Sequence, residues 1–440
     1  MGIVECPSIE DYWANNTWVP QVANVMSSKR FMNIRAMIHF NDNETIHESN
    51  DRYYKVRPIF DMLRKEFLKI PHTPKQSIDE VMVGYKGKRA GNLRQYIKSK
   101  PDKWGFKIFS RSSIDGIIHD FILYQGKSTF DNHPIEFKTN ELSMNLSSRV
   151  VIGLCKTMHD PSKSAIYADN FFTSLSLAQY LKSDYGCRYT GTARENRIGK
   201  VNLLDSKIMS KSKRGTLDYK SSDGVLILKW KDNKVVTLLS TDVGIEPILT
   251  IERYEKEIHG KKDVPCPMVV KTYNSNMGGI DKSDMLVHLY KTPLKARRWY
   301  LKLFGYCIDV TIVNSWLVYR RDCEELNIKY ISLKKFRLSV SEFMRCQKPT
   351  IRRPTRTSMA PAHAFEMPQA VRGQKADMPT ENVRLDYTTF HAPQVVKQRL
   401  SCKLCSTKDN LRRSQIVCSV CKVSLCLNNT RNCFNMFHTK

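Results

Sequence analysis

The order of hydrophobic patterns predicts an α/β fold of mixed α+β type. One sheet carries helices on its faces, helical segments flank it, and a small metal-stabilised unit follows. Three observations lead there. Short apolar stretches of β-type composition cluster between residues 77 and 169 and again over 215–241. Apolar residues recur at helical spacing before residue 72 and after residue 284. Six of the 13 cysteines lie between Cys402 and Cys433. A chain of 440 residues with 41% hydrophobic and 10% aromatic residues can bury a sizeable core, which excludes a mainly disordered or collagen-like chain.

Taken in order, residues 1–71 are expected to be mostly helical. Met26–Phe40 places Ile34, Met37 and Ile38 at helical spacing, and Ile59–Phe67 does the same with Phe60, Leu63 and Phe67. Strands follow at Ser77–Tyr85, Trp104–Ser110 and Ile117–Tyr124. Val150–Met158 returns to helix, Ser164–Asp169 is a short buried-type strand ending in an acid, and the next ten or so residues are helical. Three strands, helix, strand, helix imply a mixed sheet. A second β unit spans 215–241, where two apolar runs flank the turn Asp232-Asn233. Residues 284–345 are helical, with Trp299, Leu303, Tyr306, Ile308, Ile312, Trp316 and Tyr319 as the apolar stripe. The stretch Pro349–Pro393 lacks apolar periodicity and reads as a linker that begins with a basic run.

Charge narrows the function. Lys and Arg number 71 against 43 Asp and Glu, a net charge of +28, and residues 291–440 carry about +18 of it. Such an excess calls for a polyanion, nucleic acid before an anionic membrane. No run of about 18 apolar residues suits a bilayer span. The N-terminus lacks the basic and apolar regions of a signal peptide, and Cys6 stands where a myristoylation signal needs Ser or Thr. An intracellular chain is therefore expected, with its cysteines as thiols or metal ligands. Cys6, Cys155, Cys187, Cys266, Cys307, Cys323 and Cys346 are scattered and read as small buried hydrophobes.

Three acids stand out. Asp79 lies inside an apolar strand, Asp169 ends one, and Asp281 opens a helix with Asp284 one turn later on the same side. Each has a structural alternative: Asp79 paired with a lysine, Asp169 and Asp281 as helix caps. Together, two carboxylates from neighbouring strands and one from a helix can converge on a pair of Mg²⁺ ions, which activate a water or 3′-hydroxyl against a phosphodiester. Lys86, Lys88, Arg89, Arg94, Lys98, Lys100 and Lys103, interleaved with Tyr85, Tyr96 and Trp104, form a flank able to neutralise phosphates and stack bases. At the C-terminus, Cys402-x2-Cys405, Cys418-x2-Cys421, Cys426 and Cys433-x4-His438 have zinc-ligand spacing, and a segment this short needs the metal to fold.

These residues carry a family resemblance that covers nearly the whole chain. SIDEVMVGYKGK around Asp79, YADNFFTSLSLAQYL around Asp169, GTARENR at Gly191–Arg197, and YNSNMGGIDKSDM around Asp281 with the following RRWYLKLFGYCIDVTIVNSW resemble the piggyBac family of DNA transposases and their domesticated derivatives. IEDYW and RFMNIRAMIHFNDN near the N-terminus are similar to the family too. The resemblance implies an RNase H-like catalytic core with the triad Asp79, Asp169 and Asp281, Asp284 assisting in metal binding, and a homodimer. It implies a catalytic domain at 73–194 and 266–285 and an inserted β-rich domain at 195–265. A helical dimerisation and DNA-binding domain would occupy 1–72 and 286–350, a basic linker 351–398, and a RING-like cysteine-rich zinc domain 399–440. Family members usually carry a longer N-terminal region, so the chain is expected to start inside its N-terminal domain.

The implied chemistry is Mg²⁺-dependent cut-and-paste transposition: strand hydrolysis at the terminal inverted repeats, hairpin formation, and insertion at TTAA. Arg194, Arg197, Lys86, Lys88, Arg297, Arg298, Trp299, Arg412 and Arg413 are the expected DNA contacts. In the family's zinc pattern Cys418, Cys421, Cys433 and His438 form one site. Cys402, Cys405 and Cys426 form the other, with Asn429 where a fourth ligand belongs. The basic cluster Arg352, Arg353 and Arg356 suits a nuclear signal. The alternative function is a domesticated DNA-binding protein of chromatin or transcription without strand transfer.

Overall fold

The computed structural model describes residues 2–98, 100–256, 259–294, 296–346, 378–386, 388–407 and 409–439. The chain forms two compact units, Met1–Thr350 and Ile351–Lys440. The expected basic run at 351–358, with Arg352, Arg353 and Arg356, lies outside the described residues.

In the first unit the strands are β1 Lys75–Gly84, β2 Gln95–Tyr96, β3 Trp104–Ser113, β4 Ile118–Leu123, β5 Ala165–Ala168, β6 Arg188–Thr192, β7 Leu217–Ser222, β8 Val225–Lys231, β9 Val235–Ser240, β10 Leu249–Glu255 and β11 Gly260–Cys266. The helices are α1 Pro20–Ala23, α2 Ser28–Met37, α3 Arg57–Phe67, α4 Thr139–Leu142, α5 Leu146–Cys155, α6 Leu175–Tyr185, α7 Ser206–Ser210, α8 Met268–Asn276, α9 Gly279–Leu289, α10 Trp299–Glu325 and α11 Leu333–Cys346. A nine-stranded mixed sheet runs β2-β3-β1-β5-β6-β9-β8-β7, with β4 on the free edge of β3. β1, β5 and β6 are parallel neighbours; β3 and β9 flank them antiparallel. The β unit expected at 215–241 therefore continues the central sheet, because β9 pairs with the edge of β6 through Thr190, Gly191 and Thr192.

Alternation along β1 separates two cores. Val81 and Val83 join Phe106 and Ile108 of β3 under α3, α9 and α10. Ile78 faces the other side, with Phe109, α5 and α6. Helix α6 forms where expected because Ser174 caps its start, accepting from the Leu177 amide, and Gly186 ends it at φ +61. Helix α2 differs from expectation: none of its residues is buried, and Ile34 and Met37 are exposed. Cys155, Cys187, Cys266, Cys307 and Cys323 are buried, as scattered cysteines should be, while Cys6 is half-buried.

By length and composition one described helix, α10, is long and apolar enough to cross a membrane. Its environment is a protein core. Leu303, Val310, Val313 and Leu317 are buried against α3 and the sheet, while Ile308 of the expected stripe is partly exposed. Asp309 pairs with Arg337 of α11 at 2.5 Å and accepts from Thr292. Asn314 bonds both the amide and the carbonyl of Ile118, at 2.9 and 2.7 Å. Groups satisfied so specifically belong to the packed interior of this unit.

In the second unit α12 Glu381–Arg384 precedes the hairpin of β12 Pro393–Ser401 and β13 Arg413–Cys418. A second hairpin, β14 Leu427–Asn428 and β15 Arg431–Asn432, leads into α13 Cys433–Thr439. The ordered unit thus begins ahead of residue 399.

Candidate metal and nucleic-acid site

The parallel register of β1 and β5 sets the acidic site. Their last pair is Ile78 with Ala168, so Asp79 and Asp169 come next on each chain, side by side where β5 ends. Glu80 joins them: one carboxylate oxygen from each of Asp79, Glu80 and Asp169 lies within 4.8 Å of the others. Sequence reasoning missed Glu80, since alternation assigns it to the opposite face of β1. The strand's extension past the end of β5 lets its carboxylate reach round.

The capping alternatives find a clear answer. Asp169 does not cap α6; its carboxylate accepts from the Phe171 amide at 2.8 Å and its carbonyl accepts from Thr173 Oγ1, which orders the turn after β5. Asp281 lies inside the first turn of α9, after the Gly278 cap, and is exposed. Among the described residues no lysine forms an ion pair with Asp79: Lys107 lies 3.7 Å from Glu80 instead, and Lys100 Nζ donates to Glu80 O at 3.2 Å.

Electrostatics mark this cluster as strained. Burial, with the Glu80 charge next, pushes the Asp79 carboxyl up to about 7. Burial also raises Asp169, against the Phe171 amide, and lowers Lys107, against the pull of Glu80, Asp169 and Asp79. Crowded half-buried carboxylates ionise together only with a cation among them.

Asp281 stands outside the Asp79–Glu80–Asp169 cluster, but its helix is held over the same face of β1. A Cβ on Gly279 would meet Ser113 O at 2.3 Å, Ser112 Oγ at 2.6 Å and Ser77 Oγ at 2.9 Å. Glycine there lets α9 sit directly on Ser77, two residues before Asp79 and on the same side of the strand. Tyr273 feels all three aspartates: burial raises its hydroxyl to about 12, and Asp169, Asp79 and Asp281 add to the rise. Asp284 is engaged elsewhere, 3.4 Å from His288. Its hydrogen bond is the main reason that His288 is raised to about 9. His288 and Lys291 also reach Asp102, at 3.7 and 3.1 Å.

The basic positions fall into three groups. Arg194 and Arg197 reach the turn after Asp169: Arg194 donates to Asn170 Oδ1, and Arg197 donates to the carbonyls of Asn170 and Phe171. Lys86 and Lys88 are exposed in the loop after β1, and Tyr85 fixes the exposed Arg297–Arg298 segment beside that loop by donating to Arg297 O at 2.8 Å. Trp299 is partly buried against Tyr53 and Phe106. Tyr96 and Trp104 remain well exposed, with Arg94 4.1 Å from the Trp104 ring. Arg412 and Arg413 sit at the start of β13 in the second unit.

The second unit corrects the expected zinc pairing. Cys402, Cys405, Cys426 and Cys433 form one cluster; His391, Cys418, Cys421 and His438 form the other. Cys433 changes partners because the β14–β15 hairpin, with Leu427 opposite Asn432, folds it back onto Cys426; the Phe434 amide donates to Cys426 O. Asn429 is exposed and not in either cluster. The missing ligand is His391, which the sequence reading left in the linker; β12 brings it in, since Pro393 pairs with Cys418.

Both clusters fit zinc. His391 Nδ1 lies 3.3 and 3.4 Å from the sulfurs of Cys418 and Cys421, His438 Nε2 3.5 Å from Cys421 Sγ, and Cys405 Sγ 3.7 Å from Cys426 Sγ. The edges of a tetrahedral zinc site are about 3.6 Å for N···S and about 3.8 Å for S···S. His438 Nδ1 donates to Phe434 O at 2.8 Å, which leaves Nε2 free to bind metal. Burial raises the Cys402 thiol, but backbone amides of Cys405, Leu404 and Cys426 outweigh it and bring the thiol down to about 7. Burial and then neighbouring thiols push Cys421, Cys426 and Cys433 up to about 11, 12 and 11, a crowding that a bound cation would relieve.

The fold is a mixed α/β core of the RNase H-like kind that carries a carboxylate cluster, followed by a unit whose Cys/His clusters could hold zinc. Comparison gives the family. Residues 1–316 match the family model described as Transposase IS4. The human PiggyBac transposable element-derived protein 3 is 30% identical over 323 residues, covering 72% of this chain and 53% of that protein. The human PiggyBac transposable element-derived protein 2 is 30% identical over 322 residues, with 72% and 52% covered. The cryo-EM structure of the piggyBac transposase synaptic complex with hairpin DNA shares the fold at a TM-score of 0.63 and 23% identity, covering 95% of this chain and 81% of that one. The chain belongs to the piggyBac-type transposase family. It spans about half the length of these curated relatives.

Proposed function

We propose that the chain is an Mg²⁺-dependent piggyBac-like DNA transposase that works by cut-and-paste. The observation that carries this reading is the placement of Asp79, within β1, beside Asp169, just past the end of its parallel neighbour β5, with Asp281 on a helix packed over the same strand. Asp79, Asp169 and Asp281 would hold the divalent ions, with Asp284 assisting. Two Mg²⁺ bound there would activate water or a 3′-hydroxyl and stabilise the leaving oxygen. Burial holds the Asp79 proton up to about pH 7, and a divalent cation bound beside it would displace that proton and be held by the resulting carboxylate. Arg194 and Arg197 orient the Asp169 turn and offer charge to a phosphate beside it. Lys86, Lys88, Arg297 and Arg298 would track the DNA backbone. Zinc would hold the second unit in shape, with Arg412 and Arg413 facing transposon-end DNA. The proposed substrates are terminal inverted repeats and a TTAA target; the proposed setting is a homodimer in the nucleus.

A second reading is a domesticated DNA-binding protein without strand transfer. It draws on Asp281 standing outside the carboxylate cluster and on relatives named as element-derived proteins. One experiment separates the two: cleavage and strand transfer with purified protein, Mg²⁺ and a donor carrying the inverted repeats of its own locus. An active transposase yields hairpinned ends, and Asp169→Asn abolishes cleavage while DNA binding is retained. Cleavage that survives in Asp169→Asn refutes the triad; binding without cleavage by the unaltered chain selects the second reading.

A further inference from the structure

Lys107 lies on β3 opposite Met82, on the same side as Phe109. Its ammonium is 3.7 Å from Glu80 Oε2, 4.1 Å from the centre of the Phe171 ring and 4.8 Å from that of Phe109. Aromatic faces hold it on one side and the carboxylates of Glu80, Asp169 and Asp79 attract it from the other. The side chain is largely buried, 12% exposed, so its charge is not shared out to bulk water. The contact with Glu80 is still too long for a hydrogen bond, and Glu80 Oε2 is buried without any hydrogen-bond partner. Lys100 adds a second ammonium at the rim, donating to Glu80 O at 3.2 Å and attracting Asp79, while Lys107 is the one set against the Glu80 carboxylate; one oxygen of that carboxylate remains open.

We propose that Lys107 is the resident counter-ion of this site, a positioning residue that holds Asp79, Glu80 and Asp169 together until a divalent cation displaces it. The inference rests on the proposed metal-dependent reading and adds Glu80 to the donor set. A divalent ion bound by these oxygens would repel an ammonium a few ångströms away. The ring faces of Phe171 and Phe109, which already hold the ammonium, would keep it nearby as the divalent ion takes over the carboxylates. The chain would thus resist binding metal singly and weakly, and the carboxylates would stay grouped in its absence.

The test is Mn²⁺ binding to the zinc-loaded full chain, read by electron paramagnetic resonance of free Mn²⁺, with no DNA present. Lys107→Met should bind Mn²⁺ about tenfold more tightly than the unaltered chain. Adding Asp79→Asn should abolish that gain. Without Mn²⁺, Lys107→Met should melt at lower temperature, and Mn²⁺ should restore it more than it raises the unaltered chain. Equal or weaker Mn²⁺ binding by Lys107→Met overturns the counter-ion role alone. Absence of any Asp79-dependent Mn²⁺ binding in both proteins removes the metal-site reading and this inference with it. Lys107→Gln repeats the comparison if the methionine variant does not fold.

Discussion

His391 shows what a single residue can hide from a sequence reading. Cys402, Cys405, Cys418, Cys421 and the more distal ligands are legible because zinc spacing is local. His391 is not, because a strand pairing of β12 with β13 brings it to Cys418, and no spacing rule reports that register. Glu80 and Lys107 escape notice for a like reason: strand alternation assigns Glu80 away from Asp79, and only the end of β5 reunites them. The observed clusters make a sharp prediction. His391→Ala should lower zinc content from two ions per chain to one, measured by elemental analysis, and Cys433→Ala should remove the other ion. If His391→Ala kept both ions while Asn429→Ala lost one, the clusters described above would be wrong.

At the scale of elements, Asp79 and Asp169 were legible because each sits in a strongly patterned strand, and their adjacency follows once β1 and β5 are parallel neighbours. The merging of β7–β9 into the same sheet was not, since the pattern of a hairpin does not say whose edge it meets. Nor was the exposed side of α2, whose periodicity is helical but whose apolar residues cover no core. The β3–β4 pair carries a testable pH response. His119 on β4 is 1% exposed and bonds Ser113 of β3; burial first, then the nearby Arg111 charge, depress it to about 3. The unfolded chain binds that proton near pH 6.5 and the folded chain does not. Stability should therefore fall as pH drops from about 6.5 towards 3, by up to about 1.4 kcal/mol per pH unit from this group. His119→Gln should flatten the fall in the first unit's urea unfolding between pH 6.5 and 4.5; an unchanged slope would remove His119 as its source.

At the scale of the molecule, the net charge of +28 pointed to a polyanion before any residue was assigned a role. The division into Met1–Thr350 and Ile351–Lys440 separates two sources of stability. The first unit has extensive apolar cores on both faces of its sheet. The second packs a small cluster around its cysteines, too little to hold it without metal. Chelation of zinc should abolish the second unit's amide protection in hydrogen exchange and leave that of β1, β3 and β5 unchanged. Loss of protection in both units together would show that they fold as one.

The central claim is that Asp79 and Asp169 bind a divalent ion for chemistry on DNA. Anomalous diffraction from crystals of the full chain with an inverted-repeat duplex and Mn²⁺ tests it most directly. The account predicts a manganese peak between the Asp79 and Asp169 carboxylates, a second near Asp281, and Lys107 moved out from among the acids. Manganese absent from Asp79 and Asp169, with Lys107 still beside Glu80 and DNA bound elsewhere on the surface, would contradict it.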